Sequence, residues 1–229
     1  MGIKPLVVGN WKMHKTLAET LSYIQMAGES LHQLQHVEVV LCVPFTSLSI
    51  AEGLLRETRV GLGIQNVAAW KEGSYTGEIA ASMVAGHCQY VLLGHSERRR
   101  WLGETSQMIK DKVECALAVG LKPIVCVSSE EEIAALAPVK DTVPPIIIAF
   151  EPLEAIGSGK PSDPDEVRRF NKLIWQYLGS DTRVIYGGSV DETNVSQFIK
   201  VCDGVLPGKA SLDPGQFLAL CREAEKASS

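Results

Sequence analysis

PLVVGNWKMHK, residues 5 to 15, separates two ways of folding an alternating chain. Its first half, PLVVGN, is a short apolar run without polar alternation, as in a strand covered on both faces. An open doubly wound sheet normally carries G-x-G-x-x-G after its first strand, to cradle a dinucleotide phosphate. Here the strand runs into GNWKMHK, which contains no such loop. That leaves the closed alternative, provided the rest of the chain keeps alternating.

It does. Further apolar runs follow at 37–43 (VEVVLCV), 59–66 (RVGLGIQN), 90–95 (YVLLGH), 122–127 (KPIVCV), 145–151 (PIIIAFE), 183–188 (RVIYGG) and 202–208 (CDGVLPG). Amphipathic helical stretches lie between most of them, at 17–34, 104–120 and 164–179, and another at 213–227 closes the series. Asp213 and Pro214 mark the last helix start. Eight strands alternating with helices predict an α/β fold, a (β/α)₈ barrel forming one domain over residues 1–229.

Composition sets outer bounds. Hydrophobic residues make up 45% of the 229 and charged residues 21%, as in an ordinary globular protein. A net charge of −5 argues against nonspecific nucleic-acid binding. The apolar run near the start is too short for a secretory signal or a membrane span, and the last residues carry no lipidation signal. Six cysteines (42, 88, 115, 126, 202, 221) form no C-x-x-C pair and join no histidine cluster at zinc spacing. They read as reduced thiols of a cytoplasmic protein, with no metal and no disulfides.

In a barrel the C-terminal strand ends meet at one mouth, where chemistry sits. This sequence places there Asn10 and Lys12, Gln65 and Asn66, His95 with Ser96 and Glu97, Glu151, Gly187–Gly188–Ser189 and Gly208–Lys209. Glu151 ends a buried run and Pro152 stops the ladder after it. Alone, Glu151 reads first as a strand-end carboxylate facing solvent or paired with an arginine, and second as a general base held in a dry site. IGSGKP fails the Walker pattern, having Glu154 where glycine is needed and Pro161 where Ser or Thr is needed. It reads as a lid or as a plain surface connection. His95, with Ser96 as the expected helix cap, is a neutral proton donor or a structural histidine. Lys12 is a counter-charge for an anion or a solvated lysine, and Asn10 a donor to a carbonyl or a turn cap. Glycines at 157, 187–188 and 208 could aim backbone N–H groups at a phosphate.

GNWKM (9–13), TGEIA (76–80), GHSERR (94–99), EP with AIGSGK (151–160), YGGSV (186–190) and DGVLPGKASL (203–212) together resemble the triosephosphate isomerase family along nearly the whole chain. The resemblance implies interconversion of D-glyceraldehyde 3-phosphate and dihydroxyacetone phosphate through an enediolate, with no cofactor. Glu151 would carry the proton between carbons and His95 would polarise the carbonyl. Lys12 and Asn10 would stabilise the enediolate, with Glu97 holding Lys12. Gly157, Ser189, Gly208 and Lys209 would hold the phosphate. The lid would comprise Pro152, Leu153, Glu154, Ala155, Ile156, Gly157, Ser158, Gly159 and Lys160. A homodimer would form through the loop at 66–78, with Trp70, Tyr75 and Thr76, and the compact chain leaves a tetramer open. The chain departs from the family in its shortened segment after the fifth strand, its hinge Pro152–Leu153–Glu154 without tryptophan, and Pro207 and Lys209 beside Gly208. A binding barrel without turnover would have lost Glu151 or Lys12. A Schiff-base aldolase would need a desolvated lysine on an inner strand, and Lys122 stands at the wrong end of its strand.

Overall fold

The computed structural model describes residues 3–142, 145–155, 157 and 159–228. Eight parallel strands close on themselves in sequence order: β1 (Leu6–Asn10), β2 (Glu38–Val43), β3 (Gly61–Ile64), β4 (Tyr90–Leu93), β5 (Lys122–Val127), β6 (Ile147–Phe150), β7 (Arg183–Tyr186) and β8 (Gly204–Val205). Closure runs through β1, which pairs with β2 from Leu6↔Glu38 to Asn10↔Cys42 and with β8 at Leu6↔Gly204 and Val7↔Val205.

The absence of alternation has its reason in two cores. Leu6, Val8, Val40, Cys42, Tyr90, Leu92, Ile124, Cys126, Ile147, Ala149, Ile185 and Leu206 fill the barrel interior. Their strand neighbours, such as Val7, Val39, Leu41, Val91, Val125 and Ile148, point outward into a second core beneath the helices. Both faces of each strand are therefore apolar.

Nine helices surround the barrel among the described residues: α1 (Leu17–His32), α2 (Leu48–Leu55), α3 (Ala81–Val84), α4 (Ser96–Leu102), α5 (Ser106–Leu117), α6 (Glu130–Ala134), α7 (Pro164–Leu178), α8 (Val195–Ile199) and α9 (Pro214–Ser228). The four longest coincide with the amphipathic stretches. Among its described residues, the shortened segment after β5 holds α6 and a 3-10 turn at Ala137–Val139. The helix starts are chemically explicit. Thr16 and Glu19 form a reciprocal capping box on α1, and Asp213 Oδ1 accepts the Gln216 N–H at 2.8 Å to open α9. None of the described helices is long and apolar enough to cross a membrane.

Candidate active site

β4 ends at Leu93, and Gly94 then turns the chain with φ 69° so that His95 enters the mouth. One sequence expectation is corrected here: His95, not Ser96, is the cap of α4. Its Nδ1 accepts the Glu97 N–H at 3.1 Å. That nitrogen therefore carries no proton, and the imidazole is the neutral tautomer with its hydrogen on Nε2. The Glu97 carboxylate lies 3.6 Å from the same Nδ1, but the amide already occupies the lone pair.

β6 delivers Glu151, which is 2% exposed. Its Oε1 stands 3.1 Å from His95 Nε2, and its Oε2 accepts the Ser96 N–H at 2.9 Å. A buried carboxylate needs such donors. The solvent-facing alternative for Glu151 is thereby removed. Across from it, Gly187 leaves the necessary room: a Cβ there would stand 2.9 Å from Glu151 Cγ.

β1 delivers Asn10 and Lys12. Lys12 has φ 52°, a conformation that side-chain-bearing residues rarely hold without support. Two contacts hold it: its N–H donates to Asn10 Oδ1 at 3.0 Å, and its Nζ donates to Glu97 Oε1 at 2.6 Å. The first bond leaves Asn10 Nδ2 as that side chain's free donor end. The Glu97 carboxyl is penalised by burial, and the Lys12 hydrogen bond and nearby positive charge more than offset this, holding it below the usual carboxylate range.

These groups surround a cavity of about 640 Å³, lined also by Gly157, Gly159, Gly188, Ser189, Gly208 and Lys209. Gly208 faces the lysine, since a Cβ on it would stand 3.0 Å from Lys12 Cε. Lys209 is exposed at the rim. The structure thus brings together Asn10, Lys12, His95, Glu151, Gly157, Ser189, Gly208 and Lys209. Gln65 and Asn66 turn elsewhere: Gln65 donates to the Cys42 carbonyl, and Asn66 Oδ1 accepts from the buried Lys112. His14, Asp191, Asn194 and Gln216 also line the mouth and had no signal in the sequence. No group of three or more His, Cys, Asp or Glu among the described residues could hold a metal ion.

The segment after Glu151 is fastened at two points to the chain around β7. Ser189 Oγ donates to the Ala155 carbonyl at 2.7 Å, and the Ser162 N–H donates to Tyr186 Oη at 2.9 Å. Leu153, Glu154, Gly157, Gly159 and Lys160 are exposed, while Pro152 and Ala155 are buried. Ile156 and Ser158, also expected in the lid, lie outside the described residues. In the loop at 66–78, Trp70 and Tyr75 stack with ring centroids 4.0 Å apart, yet both remain 42% exposed, and Thr76 beside them is exposed too.

A second cavity, of about 550 Å³, opens at the opposite end of the barrel among Arg59, Tyr90 and Lys122. That end is where barrels place stabilising rather than reacting groups. Its carboxylates are already engaged, Glu38 with Arg183 and Glu52 with His87.

A closed (β/α)₈ barrel with a polar, glycine-rimmed mouth at its C-terminal strand ends defines a broad enzyme class. Within that class the comparisons are specific. The family model described as Triosephosphate isomerase matches residues 5–224. The triosephosphate isomerase of Dehalococcoides mccartyi strain BAV1 is 37% identical over 242 residues, covering 96% of this chain and 96% of the relative. Those of Symbiobacterium thermophilum and Dictyoglomus thermophilum are 38% and 39% identical, covering 97% and 93% of this chain and 98% and 97% of theirs. This chain belongs to the triosephosphate isomerase family.

Proposed function

We propose that this chain interconverts D-glyceraldehyde 3-phosphate and dihydroxyacetone phosphate by proton transfer through an enediolate, with its own side chains as the only acid and base. The observation that carries the assignment of roles is the buried pairing of Glu151 Oε1 with His95 Nε2 at 3.1 Å. One partner is a carboxylate that can accept a proton, and the other is a neutral imidazole that can donate one. With substrate bound, Glu151 turns from His95 toward the substrate carbons. It takes a proton from the carbon beside the carbonyl while Nε2–H hydrogen-bonds the carbonyl oxygen. Electrons of the broken C–H bond form the enediolate double bond, and the negative charge falls on oxygen. Lys12 and the Asn10 Nδ2 amide face that charge, with Glu97 keeping the lysine in place. His95 Nε2 passes its proton to the charged oxygen and takes up the proton of the neighbouring hydroxyl, so the negative charge moves to that oxygen. Glu151 then returns its proton to the neighbouring carbon, the new carbonyl forms, and both side chains regain their starting states.

The phosphate lies against backbone N–H groups of Gly157, Ser189, Gly208 and Lys209, with the Lys209 ammonium at the rim. Ser189 serves through its N–H, since its hydroxyl is committed to Ala155. Closure of residues 152–160 excludes water and keeps the enediolate from expelling phosphate. The shape of the whole argues for a single domain. Two copies associate through residues 66–78, supported by the exposed Trp70–Tyr75 stack; sedimentation of Trp70→Ser would show a shift toward monomer. Six free thiols fit a cytoplasmic setting.

The test is a coupled isomerase assay on wild type and Glu151→Gln. The variant is expected to lose roughly 10²–10⁴-fold in kcat, the range for removing a general base. A variant with wild-type turnover would overturn the assignment of Glu151.

A further inference from the structure

Lys12 and Lys15 are the non-glycine residues with positive φ among those described, at 52° and 78°. Both lie in the one loop after β1. Support for Lys12 comes from Asn10 and Glu97, but Lys15 does not line the mouth and takes no part in the chemistry above. A lysine held in the left-handed region persists only when its surroundings over-determine it, so the contacts of Lys15 identify what it does.

Those contacts lead to the far end of the chain. Lys15 Nζ donates to the Leu212 carbonyl at 2.7 Å. The same ammonium lies 4.7 Å from the Tyr23 ring centroid and 5.2 Å from that of Trp11. These two rings are buried and meet edge-on, with centroids 4.8 Å apart. Tyr23 Oη in turn donates to the carbonyl of Ser211 at 3.0 Å. Consecutive carbonyls, 211 and 212, are thus gripped by two residues of the β1–α1 arm. The grip continues inward. Ser211 Oγ lies 3.1 Å from the Asn10 carbonyl and 2.6 Å from the Gly208 carbonyl, sharing its one proton between them. Immediately after Lys15 the α1 capping box fixes the chain, with the Thr16 N–H on Glu19 Oε2 at 2.7 Å. Partial burial pushes the Lys15 ammonium pKa down against the opposing carboxylates of Glu19 and Asp213.

We infer that Lys15, seated on Tyr23, is a positioning residue for the phosphate end of the site: it clamps Ser211–Leu212 to the β1 arm and so aims the N–H groups at 208–209. The inference rests on the proposed reading of that rim as the phosphate site. It adds a residue that does not line the cavity and acts through the Leu212 carbonyl.

Three variants test it: Lys15→Met, which keeps the stem on the rings, Lys15→Arg, which keeps the charge, and Tyr23→Phe, which removes one carbonyl tie. Binding of inorganic phosphate is titrated, and KM and kcat are measured for glyceraldehyde 3-phosphate. Lys15→Met is expected to weaken phosphate binding and raise KM together by roughly tenfold, the worth of one charged hydrogen bond, with kcat within about twofold. Lys15→Arg is expected to restore most of the loss, and Tyr23→Phe to show a smaller loss of the same kind. Unchanged phosphate affinity in both Lys15→Met and Tyr23→Phe would overturn the inference. So would an equal loss in kcat/KM on unphosphorylated glyceraldehyde, which would mark a general packing defect. The phosphate titration needs no turnover, so it decides this inference separately from a wild type inactive on triose phosphates, the result that would defeat the functional reading.

Discussion

Glu151 is readable from sequence because its neighbours contradict it: an apolar strand before it, a proline after it. What the sequence cannot show is the space that the Glu151 side chain occupies, which Gly187, just past β7, leaves open. Gly187→Ala should therefore push the carboxylate aside and lower kcat/KM by about 10²-fold, as misplacement by an ångström does, while the protein still melts cooperatively. Wild-type activity in that variant would show that the close approach at Glu151 Cγ is unimportant. The misassigned cap has a similar origin. Serine is the common helix cap and histidine is not, so Ser96 looked right by type. The backbone instead enters the helix one residue earlier, which frees the Ser96 N–H for Glu151. The buried pairing of Lys112 with Glu104, at 2.5 Å, also escaped notice, because neither residue sits in a motif. Glu104→Ala leaves the buried Lys112 charge with the neutral Asn66 Oδ1 but without its carboxylate, and is expected to cost about 3–5 kcal/mol in chemical denaturation.

Among the elements, those with enough turns to display a face were legible and the short ones were not. α1, α5, α7 and α9 carry their apolar stripes over twelve or more residues. α3, α6 and α8 have four or five residues, too few to show a period. β8 is only two residues long, and its signal in the sequence is the short apolar run CDGVLPG at 202–208. The capping box at Thr16 is a local signal with a measurable worth: Thr16→Ala should destabilise the fold by about 1 kcal/mol, read as a lower urea midpoint. The fastenings of the segment proposed as a lid are of the other kind, since Tyr186 and Ser162 are 24 residues apart. Tyr186→Phe removes the acceptor for the Ser162 N–H. Amide exchange at Ser162 should then quicken and kcat should change, because lid motion gates turnover in enzymes of this design. Unaltered exchange would mean that the hydroxyl does not hold the lid's far end.

For the molecule as a whole, the barrel separates its tasks by end, and the end opposite the mouth carries its own charge network. Glu38 on β2 accepts from the Tyr90 hydroxyl and pairs with Arg183 Nη1 at 2.6 Å. Burial alone would raise the Glu38 carboxyl, but Tyr90, Arg183 and Lys122 more than offset it and hold it below its usual value. A carboxyl lowered on folding contributes stability above its unfolded pKa, and that contribution fades as pH falls through the folded one. Wild type should therefore exceed Glu38→Gln in urea midpoint at neutral pH, with the gap closing in acid. A gap that stays constant with pH would show that the carboxylate's charge is not the source.

The distribution of charge between rim and remainder has a kinetic meaning. The chain bears a net charge of −5, which repels an approaching dianion at long range, while Lys12 and Lys209 stand around the cavity proposed to receive it. Capture is then a contest between a repulsive body and an attractive funnel. Added electrolyte screens both, and it screens first whatever acts across more than the Debye length of about 8 Å at physiological ionic strength. The body's repulsion is the longer-ranged of the two. Encounter rates should thus respond to ionic strength more gently than the funnel alone would dictate, and Lys209→Met should tilt that response toward faster capture as salt is added.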